Sequence, residues 1–272
     1  MTPKDLSLHF AGPAFLAWQR MGNMYGWGGP LPPSWHEFQV KLQHRILKRM
    51  RQLGMTPVLP AFAGHIPKAL LVLYPNITYT STKWNHFGPT YLLDSTDPLF
   101  NPIGSSFIKE YIEEFGGTDH VYNCDAFNEM TPASNDPGFI RKSGKAIYDA
   151  IASVDENAVW IMQGWLFRSS FWKRDQAKAL LTSVEPGEMI VLDLASTEFT
   201  EYDRLDSFFG QPFIFNDLNN YGGNTGFFGR IGRINERLFQ ARNMYVYFVL
   251  FSVCLVSVPF YDIIFWRKII TL

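Results

Sequence analysis

Asn128-Glu129-Met130 ends the apolar run Val121 to Phe127 and opens the turn-rich stretch Thr131 to Gly138. A carboxylate where a buried strand empties into a loop is where barrel enzymes keep an acid/base group. Hydrolysis of a glycosidic bond with retention needs two carboxyl groups roughly 5–5.5 Å apart, one to protonate the leaving oxygen and one to attack the sugar carbon. Glu129 is one half of such a pair. Around it the sequence sets short polar groups beside indoles. Asn23 and Trp27 precede the first clear helix, His65 follows the first strand and Asn128 adjoins the glutamate; Gln163 and Trp165 follow the third strand, and Asp193 lies near the end of the fourth. A pyranose needs this mixture, hydrogen bonds for its hydroxyls and a flat apolar face for its ring carbons. A glutamate merely solvated after a strand is the plain alternative.

Other chemistries fail on spacing. Gly138 and Gly144-Lys145 miss a phosphate-binding loop by one residue, and Ala146 stands where a metal-binding hydroxyl is required. The glycines at 222, 223, 226, 229 and 232 match the dinucleotide fingerprint in no register. There is no His-Glu-x-x-His zinc helix, no thiolate pair and no Gly-x-Ser-x-Gly elbow. Six histidines, among them His36, His44 and His65, show no ligand spacing. No metal and no cofactor is expected.

The elements that must position these groups alternate. From Trp35 to Leu53 apolar residues at Trp35, Phe38, Leu42, Ile46, Met50 and Leu53 have helical spacing. Ser34 and Glu37 read as a capping box, Lys48, Arg49 and Arg51 oppose the dipole, and Gly54 closes the helix. A short strand, Met55 to Phe62, then leads into a loop, Ala63 to Pro67. Helices are expected at Ile103–Phe115, Gly138–Ser153, Asp175–Val184 and around Phe228–Gln240. Strands are expected at His120–Phe127, Ala158–Gln163, Met189–Leu194 and Pro212–Phe215. Strands apolar throughout, separated by amphipathic helices, call for a parallel sheet covered on both faces, hence α/β. Polar and aromatic residues after nearly every strand favour a (β/α)8 barrel, incomplete because only five strands are legible.

Composition narrows the partners. The 272 residues carry a net charge of −1 with interspersed signs and no long basic tract, which speaks against a nucleic-acid binder. Aromatic content of 16 %, with 8 Trp and 24 Phe, suits sugar-facing clefts and equally suits packing. Two cysteines, Cys124 and Cys254, make no disulfide framework. Asn76-Ile77-Thr78 is a glycosylation triplet, meaningful if the chain enters the secretory route. No signal peptide is read in the first thirty residues. Met244 to Tyr261 is uncharged over eighteen residues, near the roughly 20 needed to span a bilayer. It reads as a membrane anchor contacting lipid through 244–261, or as unrelated sequence. Pro259 and basic residues on both flanks weigh against the anchor.

At these residues the chain resembles the alpha-N-acetylglucosaminidases, lysosomal glycoside hydrolases that remove terminal N-acetylglucosamine from heparan sulfate. The resemblance rests on GPAFLAWQRMGNMYGWGGPLPPSW (Gly12 to Trp35), GMTPVLPAFAGHIP (Gly54 to Pro67), FNEMTP (Phe127 to Pro132), AVWIMQGWLF (Ala158 to Phe167), VLDL (Val191 to Leu194) and NYGGNTGFFG (Asn220 to Gly229). It covers about Gly12 to Gln240. It implies a TIM barrel, retention of configuration, no metal, and Glu129 of the FNE motif as general acid/base. Substrate contacts are then expected from Asn23, Trp27, His65, Asn128, Trp165 and Asn220. The role requires Glu129 to be protonated when substrate binds, through burial or a neighbouring carboxylate.

Departures matter as much. The family's nucleophile lies in an Ala-Pro-Glu-Gly stretch downstream of the glycine-rich loop, and no such stretch follows Arg242. Phe215 and Asn219 stand where the family favours Trp and His, and Glu198 is displaced from the family's acidic position. The expectation is therefore a barrel portion over 1–242 and an apolar tail over 243–272, with weak or no hydrolysis. Incomplete pairing would make oligomerisation a means of covering open edges. The rival expectation is an inactive sugar-binding or membrane-tethered protein.

Overall fold

The computed structural model describes residues 1–2, 4–5, 9, 32–83, 88–116, 119–127, 130–216, 231–244 and 248–252, and leaves aside the side chains of 231 and 244–252. Asn23, Trp27, Asn128, Glu129 and Asn220 lie outside the described residues. The chain divides into two units, one holding residues up to 126 with 146–158, the other 127–145 with 159–252.

The first unit opens with α1, Pro33–Gln52. Pro33 occupies the first helical position, where its missing N–H is no loss, so Pro32 is the cap and Ser34 lies within the helix; no side chain caps this end. The expected capping box is therefore not formed. Gly54 closes the helix at φ +71°, as the sequence suggests. The buried face is rotated from the expected stripe. His36 and Leu47 are buried, whereas Phe38, Ile46 and Leu53 are 59 %, 42 % and 58 % exposed. Polar ties set this rotation: His44 Nε2 lies 3.0 Å from Glu114 Oε1, and Arg51 donates to Asp119 Oδ2 at 3.0 Å.

Two strands of this unit, β1 (Leu59–Pro60) and β5 (Val121–Asn123), pair in parallel. Between them the chain makes an antiparallel sheet that hydrophobic patterning does not foresee. It contains β2 (His65–Ile66), β3 (Tyr79–Lys83) and β4 (Pro89–Leu93), in the order β2-β4-β3. The short helix α2, Leu70–Leu73, precedes β3. Gly64 makes the entry to β2 feasible: its φ is +96°, and a Cβ there would meet Leu92 Cδ1 at 3.0 Å and the Leu93 carbonyl at 3.1 Å. Helix α3, Phe100–Phe115, closes the core. Phe62 packs on Phe100 at 5.1 Å, and Phe107 stacks on Tyr111 at 4.8 Å. Helix α4 runs over Pro137–Ala152.

The second unit is more regular. Strands β6 (Val159–Gln163), β7 (Met189–Asp193), β8 (Phe213–Asn216) and β9 (Phe248–Ser252) pair in parallel, each with the next. Helices α5 (Arg174–Leu181), α6 (Glu201–Arg204) and α7 (Ile231–Met244) lie between them in sequence. Met189, Val191, Phe213 and Phe215, which share one face of each strand, are wholly buried, and Ile190, Leu192 and Ile214 on the other face are half-buried. Gly144 of α4 answers to packing: a Cβ there would collide with the Ser183 side chain. Between α6 and β8 the backbone makes a left-handed turn, with φ of 48°, 54°, 51° and 53° at Asp206, Ser207, Phe208 and Phe209. Phe208 anchors it, fully buried against Phe213 at 5.4 Å and Phe167 at 6.2 Å.

Strand β9 falls inside the stretch read from sequence as an apolar tail. Its backbone pairs with β8 through Phe213↔Phe248, Ile214↔Leu250, Phe215↔Phe251 and Asn216↔Ser252. No helix among the described residues is long and apolar enough to cross a membrane. Where five strands are expected, the described residues hold six that pair in parallel.

Candidate active site

The carboxyl ends of parallel strands are where this architecture places chemistry, and in the second unit three of them can be followed. Gln163, half-buried, ends β6, and a single 3-10 turn, Gly164–Arg168, follows at once. Gly164 is needed there, since a Cβ would lie 3.0 Å from the Leu192 carbonyl. Trp165 is half-buried on this turn, while its neighbours Leu166 and Phe167 are buried. Phe167 meets Trp172 edge to face at 5.8 Å, and Phe127 meets the same indole at 5.9 Å. The Met130 amide donates to the Phe127 carbonyl at 3.2 Å.

Asp193 ends β7 and Asn216 ends β8, with 3 % and 0 % exposure. Ser196 joins the two. Its hydroxyl donates to the Asp193 carbonyl at 2.7 Å and accepts from the Asn216 amide at 3.2 Å, and its amide donates to the Asn216 carbonyl at 3.0 Å. Oδ2 of Asp193 has no hydrogen-bond partner among the described residues. Burial, and then the charge of Glu201, push the Asp193 carboxyl up to about 7 against the opposing pull of Ser196, the Tyr202 amide and Arg168.

Glu201 opens α6 almost fully buried and is held by two arginines. Arg168 Nη1 donates to its Oε1 at 3.2 Å and Arg204 Nε to its Oε2 at 2.6 Å. Arg204 also donates to the Phe167 carbonyl at 2.9 Å, and the Arg168 guanidinium lies 3.3 Å from the centre of the Phe199 ring. Sequence reasoning names none of this network. Its only local trace is the Glu201…Arg204 spacing on one helical face. Glu198, the displaced acid of the motif comparison, is exposed and lies 3.6 Å from Arg233.

In the first unit, His65 is in β2 rather than in a loop. It is 3 % exposed, and burial, then the charge of His9, lower its pKa to about 3, so the imidazole is neutral. Asp125, 8 % exposed, accepts from Asn123 Nδ2 at 3.1 Å and is a second acidic group the sequence reading passes over. Cys124 is buried, its thiol raised by burial and then by Asp125, and it donates to the Phe62 carbonyl. A thiol so placed is inert.

The family model for the alpha-N-acetylglucosaminidase (NAGLU) tim-barrel domain matches residues 1–249. The chain belongs to this family. Human alpha-N-acetylglucosaminidase is 49 % identical over 242 residues, which make up 86 % of this chain and 32 % of the human protein. The chain thus spans about a third of the length of the curated relative it matches. Among solved structures, the family 89 glycoside hydrolase from Clostridium perfringens in complex with PUGNAc superposes with a TM-score of 0.76 at 25 % identity, over 94 % of this chain and 29 % of that one. A form of the Clostridium perfringens protein with two glutamates replaced by glutamine, in complex with its substrate GlcNAc-alpha-1,4-galactose, gives 0.74 at 24 %, over 95 % and 29 %. These likenesses agree with the α/β reading and with the TIM-barrel assignment to the family. The family match runs past the boundary drawn at residue 242 and into β9.

Proposed function

We propose that this alpha-N-acetylglucosaminidase family member supplies barrel machinery for retaining hydrolysis of terminal alpha-linked N-acetyl-D-glucosamine, in glycans of the heparan sulfate type and in the lysosome. The observation that carries the reading is the FNE motif, which follows β5 in sequence, inside a family match over residues 1–249. In this reading Glu129 protonates the leaving oxygen and later activates water, Asn128 holds the sugar, and Trp165 offers its ring face. Asn23, Trp27, His65 and Asn220 complete the contacts. The buried, neutral imidazole of His65 suits a hydrogen-bonding role and not proton donation. Retention needs an attacking carboxylate as well. The family's Ala-Pro-Glu-Gly stretch does not occur in this sequence, so the 272-residue chain is expected to turn over weakly or not at all.

Release of chromophore from a chromogenic alpha-N-acetylglucosaminide tests this. Robust turnover that disappears in Glu129→Gln would show that a second carboxylate inside this chain serves as nucleophile, and the expectation of weak activity would then be wrong. Turnover unchanged in Glu129→Gln would sink the assignment of the acid/base.

A second reading is an inactive sugar-binding protein that keeps the rim aromatics, with Trp165 half-buried on the turn after β6. Saccharide binding retained in Glu129→Gln and lost in Trp165→Ala would select it.

A further inference from the structure

Glu201 is a buried acid, 5 % exposed, that the proposed chemistry does not use. Its two carboxylate oxygens go to different arginines. Arg168 Nη1 donates to Oε1 at 3.2 Å, Arg204 Nε donates to Oε2 at 2.6 Å, and Arg204 Nη2 lies 2.5 Å from the same oxygen. A buried charge persists only when it is paired and hydrogen-bonded, and here both partners reach on from Glu201 to the turn after β6. Arg168 is itself the last residue of the turn Gly164–Arg168. Its guanidinium also lies 3.3 Å from the centre of the Phe199 ring, which leaves the planar group little room to swing. Arg204 Nη2 donates to the Phe167 carbonyl at 2.9 Å, and its Nη1 donates to the Trp172 carbonyl at 3.4 Å. One carboxylate thus ties α6 both to the turn and to the segment that leaves it.

The upstream end of the turn is held by the sheet. Gln163 pairs with Leu192 of β7, and Gly164 lies so close to the Leu192 carbonyl that a Cβ would come within 3.0 Å of it. Within the turn, the Ser169 amide donates to the Leu166 carbonyl at 3.1 Å. A short 3-10 turn has poor hydrogen-bond geometry of its own, so its downstream shape depends on what grips Phe167 and Arg168. Trp165 stands between the two grips.

We propose that Glu201 is a positioning residue: through Arg168 and Arg204 it fixes the turn that carries Trp165, and so sets where the indole face meets the sugar. The proposal rests on the functional reading for the role of Trp165, and on the bonds of Arg168 and Arg204 for the positioning itself. Removing the Glu201 charge leaves two guanidinium groups on either side of a neutral side chain, and like charges so placed separate. Arg168 then swings towards water, the grip on the Phe167 carbonyl loosens, and Trp165 samples orientations that do not match a pyranose. A site held more loosely binds less tightly, because the missing order must be supplied on binding.

The test uses the full 272-residue chain with N-acetylglucosamine as the probe, binding read by NMR titration and the turn read by amide hydrogen exchange over 164–172. Glu201→Gln is expected to weaken binding about tenfold and to speed exchange over that segment by about tenfold, while exchange in β6 and β7 keeps the wild-type rate. Arg168→Lys keeps the charge and removes the planar grip, so it is expected to show the same changes to a smaller degree and serves if the glutamine variant does not fold. In a Trp165→Ala background, Glu201→Gln is expected to weaken binding no further. Exchange over 164–172 unchanged in both variants overturns the positioning role, whatever happens to binding. Faster exchange there with binding unchanged in Glu201→Gln and weakened in Trp165→Ala overturns the coupling of the turn to the sugar. Binding unchanged in Trp165→Ala sinks the functional reading of that indole and the link to the sugar with it, and the exchange result then still decides whether Glu201 fixes the turn.

Discussion

Asp155 in the first unit and Asp193 in the second are both buried carboxyl groups, yet their surroundings drive them in opposite directions. Burial pushes Asp155 upward, but the Tyr122 hydroxyl at 2.7 Å, His120 Nδ1 at 2.8 Å and the Asn157 amide at 3.2 Å more than offset it, and its pKa lies below the usual value. Asp193 has burial and a neighbouring Glu201 with too few donors in return, so it rises to about 7. The difference follows position along the strands. Asp155 ties residues around the amino end of β5, where barrels keep structure, whereas Asp193 ends β7 at the carboxyl side, where they keep function. A saturated carboxylate fixes a fold, and an under-satisfied one retains a proton that can be moved.

Linkage turns the contrast into opposite pH dependences. Asp155, lowered in the folded state, contributes stability that is present above its unfolded pKa and lost as pH falls through the folded one. Asp193 is raised, so its favourable contribution is present at acid pH and fades as pH rises from about 4 towards 7. The largest expected effect is here. Wild type should lose on the order of 4 kcal/mol between those limits relative to Asp193→Asn, read from urea unfolding midpoints at stepped pH. Parallel curves for the two proteins would remove Asp193 from the comparison. Next, Asp155→Ala leaves the buried Tyr122 hydroxyl without its acceptor and should cost about 2 kcal/mol at neutral pH, measured in the same way. The smallest effect sharpens the structural side. His120 has φ of 64°, so His120→Gly should be milder than His120→Ala by roughly 1 kcal/mol although both lose the bond to Asp155. Equal losses would mean that the left-handed backbone carries no strain.

The β/α alternation was legible because Val159–Gln163, Met189–Asp193 and Phe213–Asn216 are apolar on both faces and are separated by amphipathic helices. Other parts were not legible, for reasons that lie outside periodicity. Strand β2 is two residues long, and Tyr79-Thr80-Ser81-Thr82-Lys83 is polar enough to read as loop, so the antiparallel sheet gave no signal. The face of α1 is set by His44 and Arg51 reaching acids some seventy residues on, which no hydrophobic stripe encodes. Apolar runs such as Phe248–Ser252 fit a buried strand and a membrane segment alike, and the parallel pairing with β8 decides between them for those five residues. At the site, Trp165 and Asp193 stood out through residue type and position after a strand. Glu201 did not, because the Arg168 that holds it is 33 residues away in sequence.

Ser196 has a consequence for how this rim can change. One small side chain grips the ends of two neighbouring strands, bonding to Asp193 on one and to Asn216 on the other. Removing that hydroxyl breaks one bond at each end and leaves only the backbone bond from the Ser196 amide to the Asn216 carbonyl. The two positions therefore drift as a single rung, and a variant that retunes one of them independently must first build a replacement for this clip.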